Sequence, residues 1–131
     1  MYVFNTTTSL FFFISINVDI KINKDRGNSI NKNDKKRYIT KKINEEVDEE
    51  LQSILWKMYE LLEKNRKDKM DYFQVFNIFK MGDNLVIKNR QEKPIMNDKL
   101  ILKRNYSGLE QTTIWIIDNQ VTQTMLFPTD Y

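Results

Sequence analysis

Three groups of side chains in this sequence are of types that do chemistry. The first is acidic. Gln91-Glu92 stands just ahead of Pro94, and Asp118 closes the apolar run that begins at Thr112. Two carboxyl-bearing positions brought to one end of a sheet can share acid/base work when their surroundings split their pKa values, although loop residues of this kind more often form turns. The second group is aromatic. Trp56, Trp115, Tyr72 and Phe76 offer rings of the sort on which single-strand binders stack bases, but Trp56 and Trp115 sit inside apolar runs, where burial is the expected fate. The third is basic. Lys35, Lys36, Arg37, Lys41 and Lys42, with no acid among them, can follow phosphates or simply line a solvated strand edge.

What is missing narrows the chemistry further. Without cysteine there is no disulfide, thiolate metal site or cysteine nucleophile. Without histidine the commonest general base and metal ligand are gone, and a serine hydrolase would need a Ser–Lys arrangement. The 3 glycines, Gly27, Gly82 and Gly108, spell neither a Walker loop nor a dinucleotide fingerprint. What remains is carboxylate, lysine or tyrosine chemistry, or a hard cation held by oxygens. Binding is therefore expected ahead of catalysis, with no catalytic, cofactor or metal residues and no cofactor.

The elements that must carry these groups follow from periodicity. In 131 residues, 40% hydrophobic and 30% charged, there is room for one domain with one core. Arg37 to Ile43 is β-like. Leu51, Ile54, Leu55, Met58 and Leu62 then repeat at helical spacing, so residues 48–66 form an amphipathic helix. Acids crowd its first turn and Lys64, Arg66 and Lys67 its last, as the helix dipole favours. Strands are predicted at 71–80, 85–88, 99–103, 112–117 and 121–127, with a hairpin at Asp118-Asn119-Gln120. The fold class is α+β: a mainly antiparallel sheet of five to six strands with one helix on one face.

The strand at 71–80 is apolar on both sides, with Phe73, Val75, Asn77 and Phe79 facing one way and Tyr72, Gln74, Phe76 and Ile78 the other. One helix covers one face. The second must be closed by sheet curvature, by the N-terminal segment, by a second copy or by a partner.

Residues 1–34 are different in character. Leu10–Ile14 is the most apolar run, yet far short of the about 20 residues that span a membrane, and its flanks lack the basic start and small-residue cleavage site of a secretory signal. Its alternation suggests a strand within 10–22, followed by an Asn- and Lys-rich linker. The segment reads either as an N-terminal tail or extension, or as upstream sequence translated from a misplaced start, with a single α+β domain over 35–131. Abundant Lys, Asn and Ile with no alanine point to AT-rich coding, so surface lysines carry less information than usual.

Arg37-Tyr38-Ile39-Thr40, Ile43-Asn44-Glu45-Glu46, Glu50-Leu51-Gln52 through Leu55-Trp56, Asp71 through Phe76, Gln91-Glu92-Lys93-Pro94, Ile114 through Asp118 and Thr124 through Pro128 resemble a family of small proteins from low-GC Gram-positive bacteria and their phages, a domain of unknown function. The resemblance covers residues 36–131. It departs from the family in lacking a proline near Asp48 and in its lysine-rich stretch between Ile87 and Leu100. It implies a cytoplasmic protein of bacterial or phage setting and transfers no catalytic residue.

The function expected from all this is a non-catalytic interaction protein of phage or mobile-element origin that binds a host protein. One specific form is an anti-CRISPR-like inhibitor that fills the nucleic-acid groove of a host defence nuclease with its acidic helix. A weak nucleic-acid-binding module and a carboxylate- or metal-dependent enzyme are the other two classes. The interface candidates are Tyr72, Phe76 and Ile78, exchanged for Phe73 and Phe79 by one residue of register slip, and Glu49, Glu60 and Glu63 on the helix. A protein partner is expected first, then a homodimer or weak nucleic-acid contact, and no membrane.

Overall fold

The computed structural model describes residues 35–103 and 111–131 in full, together with the strand backbones of residues 2–6 and 11–14. In chain order the elements are β1 (Tyr2–Thr6), β2 (Phe11–Ile14), β3 (Lys36–Ile39), α1 (Lys41–Glu46), α2 (Glu49–Arg66), β4 (Phe73–Met81), β5 (Asn84–Glu92), β6 (Ile95–Lys103), β7 (Gln111–Asp118) and β8 (Thr122–Leu126). Short 3-10 turns follow α2 at Lys67–Lys69 and end the chain at Pro128–Asp130. All strands join one sheet in the order β2-β1-β6-β5-β4-β7-β8-β3. Neighbours run antiparallel except β3 and β8, which are parallel. The strands from β3 onward form the six-stranded, mostly antiparallel α+β arrangement that the sequence predicts.

Two local details correct the sequence-based reading. The first strand stops at Ile39, because Thr40 caps a short helix by accepting a hydrogen bond from Ile43 N at 3.3 Å. Lys41–Ile43 is thereby helical, and Ile43 turns into the core. The strands expected at 85–88 and 99–103 are each longer, and they form a hairpin closed by Lys93 and a cis Pro94. The Asp71 carboxylate steadies this turn, accepting from Glu92 N and Lys93 N. On the N-terminal side, β1 pairs with β6. The expected alternation of Val18, Ile20 and Ile22, and the linker, lie outside the described residues.

Helix α2 is the organising element. Asp48 caps it by accepting from Leu51 N at 2.8 Å, and Glu49 and Glu50 occupy the dipole-favoured first turn. Its stripe of Leu51, Ile54, Leu55, Met58 and Leu62 is buried against Phe76 and Ile78 of β4, Leu85 and Ile87 of β5, Leu100 and Leu102 of β6, and Ile114 and Ile116 of β7. Each such side chain contributes about 1.5–3 kcal/mol relative to exposure. Gly82, at φ +64°, opens the tight β4–β5 turn in a conformation that favours glycine.

Side chains alternate across a strand, so the register sorts the sheet into two faces. Gln74, Phe76 and Ile78 point under α2 and are buried, whereas Phe73, Val75, Asn77 and Phe79 point to the opposite face and are half-buried. Truncation separates the two faces. Phe76→Ala is expected to cost about 3–5 kcal/mol, and Phe79→Ala only about 1 kcal/mol, by urea unfolding. Equal losses would contradict this assignment.

Candidate functional site

Phe76 and Ile78 are closed off from any partner, since both are fully buried beneath α2. Tyr72 is 62% exposed at the edge of the opposite face. The register that sequence alone left open therefore turns Phe73 and Phe79 outward in their place. The acidic helix is also less available than its composition suggests. Glu60 forms a 2.8 Å ion pair with Arg37, whose guanidinium lies 4.6 Å from the Trp56 ring centroid, which ties β3 to α2. Glu63 is half-buried and accepts from Gln123, while Glu49 serves the first helical turn. Of the four rings considered for stacking, Trp56 and Phe76 are core residues; Trp115 is half-buried on the open face.

That open face has a distinct chemistry. The register places Val75 between Trp115 and Arg90, Asn77 between Thr113 and Lys88, and Phe79 between Gln111 and Val86. A run of edge-to-face rings crosses one end. Tyr72 and Phe73 have centroids 6.1 Å apart, Phe73 and Trp115 4.8 Å, and Trp115 and Tyr131 5.7 Å. Next to the rings, β5 and β6 present Lys88, Arg90, Lys99 and Lys103, with Glu92 as the acid on these strands' open side. Lys88 and Lys99 stand directly opposite each other, a like-charge cross-strand pair that weakens the sheet. Lys88 Nζ rests 5.6 Å from the Phe79 ring centroid, and neither lysine makes an ion pair among the described residues.

Under α2 the sheet holds a buried polar cluster. Arg66, expected in the last turn of the helix for its charge, has a side chain only 3% exposed. It donates to Gln91 at 2.7 Å, Gln74 at 3.2 Å and Asn89 at 2.7 Å, and it pairs with Asp98. Gln74 and Gln91 also bind each other, and Gln91 Nε2 reaches the carbonyls of Lys69 and Pro94 at 2.8 Å. Gln91 is thus a structural member of this network, and Glu92 is exposed on the turn. A paired, desolvated cation sealed from solvent holds the helix end to the β4–β5–β6 strands.

Asp118 belongs to a second cluster, at the β7–β8 hairpin. Its carboxylate accepts from Lys35 Nζ at 2.8 Å, Gln120 N at 2.7 Å, Gln123 Nε2 at 3.2 Å and Tyr59 OH at 3.5 Å. Burial alone would raise its pKa, but the bonds from Lys35, Gln120 and Gln123 outweigh that and hold it below the ordinary range. Glu63 is pushed up, first by burial and then by the Asp118 charge, against the pull of Arg37 and Lys35. Tyr59 is raised by burial and by both carboxylates, so its phenol stays protonated. The split carboxylates meet the electrostatic condition for acid/base work, but their lone pairs are engaged with Lys35, Gln120, Gln123 and Tyr59. Among the described residues no cluster of carboxylates is arranged to hold a metal ion, and no helix is long and apolar enough to cross a membrane.

These shifts fix the sign of two pH effects. Asp118, lowered in the fold, stabilises above its ordinary value of 3.8 and loses that contribution as pH falls. Glu63, raised in the fold, works against stability once pH exceeds the folded value, and this cost vanishes below its ordinary 4.5. Thermal unfolding should then show Asp118→Asn lowering Tm at neutral pH, with the deficit shrinking in acid. Glu63→Gln should raise Tm at neutral pH, with the gain disappearing in acid. The same sign for both variants at neutral pH would contradict the split.

No curated protein matches the chain significantly. A solved structure described as "the protein of unknown function from Enterococcus faecalis" superposes with a TM-score of 0.61 at 15% identity, covering 79% of this chain and 98% of that one. At that identity the likeness shows the fold alone. A family model matches residues 36–130, from β3 through the closing 3-10 turn, and so takes in α2, the Arg66 cluster, the Asp118 cluster apart from Lys35, and most of the open face. The chain belongs to the family described as staphylococcal protein of unknown function, DUF960.

Proposed function

We propose that this protein is a non-catalytic binding protein whose working surface is the open face of the sheet, and that its partner is an anionic macromolecule. The observation that carries this reading is the Lys88–Lys99 pair. Two like charges placed directly across an antiparallel ladder cost stability, and an anion lying between them would relieve the repulsion. Lys103 extends the same charge over β6, and Arg90 adds to it on β5, offset in part by its exposed 3.8 Å pair with Glu92. Half-buried rings beside the cations add area that only a partner would desolvate, and residues of that type dominate binding energy at interfaces. The acidic helix is the weaker candidate, because Glu60 and Glu63 are already engaged with Arg37 and Gln123.

This reading couples stability and binding in opposite directions, as surfaces kept for function commonly do. Lys99→Glu turns the repulsive pair into an attractive one and should raise stability by roughly 0.2–1 kcal/mol, while lowering the salt needed to elute the protein from heparin. Lys69→Glu, with the same change in net charge on an exposed turn, should elute close to the unmodified chain. If both substitutions shift elution equally, only net charge matters and the open face is not the binding surface.

A further inference from the structure

We infer that the anionic partner is a single-stranded nucleic acid, its bases stacked on the rings of β4 and β7 and its phosphates held by the cations of β5 and β6. This rests on the open-face reading above and names the ligand class. The face is divided along the strands. On one half Phe73, Trp115 and Phe79 are half-buried, with the exposed Tyr72 and Tyr131 bordering Phe73 and Trp115. On the other half lie Lys88 and Arg90 on the next strand, Arg90 within 3.8 Å of the Glu92 carboxylate, and Lys99 one strand beyond. A single strand running along the β4–β5 boundary meets rings on its base side and cations on its phosphate side, the combination by which sequence-tolerant binders hold unpaired strands. Between them, Thr113 Oγ1 and Asn77 Oδ1 are hydrogen-bonded at 2.8 Å, which leaves the Asn77 amide protons to meet base edges.

The alternatives use only part of this surface. An acidic protein loop would pair its carboxylates with the lysines and could bury a side chain against a ring, but it carries no succession of planar groups to stack along the row as bases do. A duplex would bring phosphates to the lysines but keep its bases paired and stacked inside, where the rings cannot stack on them. The rings therefore decide between single strands and other anions, and the lysines decide between anions and neutral partners. With scattered cations and a small net charge of +3, binding should be sequence-tolerant and strongly weakened by salt.

The test uses the full chain and three probes: a fluorescein-labelled oligothymidylate of about ten nucleotides, a duplex of the same length, and heparin. Anisotropy should show the single strand bound about tenfold or more tightly than the duplex, with indole fluorescence quenched on binding. Trp115→Leu should abolish the quench and weaken single-strand binding about tenfold, while heparin elution stays unchanged. If Trp115→Leu unfolds the chain, Phe79→Ser at the other end of the row carries the same comparison. Equal binding of duplex and single strand, or ring substitutions that leave single-strand affinity intact, would overturn the nucleic-acid assignment while the anionic surface stands. Loss of heparin retention by the unmodified chain at low salt would overturn both.

Discussion

One amphipathic helix lies against one face of a sheet whose central strand is apolar on both. From that coverage the rest of the molecule follows. The stripe of α2 buries every second residue of β4 through β7, and the period of the strand then commits the alternate residues to the opposite side. Phe76 and Ile78 become core while Phe73, Val75 and Phe79 become surface, although the two sets differ little in composition. Phe73, Trp115 and Tyr131 lean on one another and Phe79 lies under Lys88, which shields part of each ring; Val86 and Leu126 on the same face are buried, while the rings between them stay half-exposed.

Charge is distributed by the same division. Beneath the helix the sheet carries Gln74, Asn89, Gln91 and Asp98, an inward polar set that would be costly to bury unpaired. Arg66 satisfies it with four side-chain partners. Removing Asp98 would leave the Arg66 charge desolvated and without its counter-ion, at a cost of about 3–5 kcal/mol. At the other end of the helix face, Lys35 and Arg37 are engaged with Asp118, Glu60 and Gln123. The acids of α2 are therefore drawn into internal contacts, while the lysines of β5 and β6 are left facing outward. A chain with almost balanced charge thus presents a basic, ring-bearing side.

Much of this architecture was legible in the residues. The helix was visible in the spacing of Leu51, Leu55, Met58 and Leu62, and the β7–β8 hairpin in Asp118-Asn119-Gln120, where Asn119 Oδ1 accepts from Val121 N and Thr122 N. The β5–β6 hairpin was less so. Its inward positions at 89, 91 and 98 are polar, so hydrophobic alternation breaks off where the strands continue, and only a buried arginine on another element makes polar inward residues tolerable. The last-turn position of Arg66 says nothing of its burial, since its pairing to Asp98 spans 32 positions. At Thr40 one capping hydrogen bond outweighs the β-branched composition around it, so the strand signal runs past the strand's end. The open face was foreseeable as a pair of alternatives, and its chemistry could be read once the register chose between them. The Lys88–Lys99 juxtaposition depends on the length of a hairpin whose turn is Lys93-Pro94, which no local signal specified.

A single strand seated on the sheet face opposite α2 would cover rings that are accessible in the free chain. Hydroxyl-radical footprinting of the full chain, alone and with an oligothymidylate, tests this most directly. The account predicts that Tyr72, Phe73, Phe79 and Trp115 are oxidised in the free chain and protected by the oligonucleotide, while Phe76 and Trp56 resist oxidation in both. Rings that are already protected in the free chain, or protection that falls on α2 in place of the sheet, would contradict it.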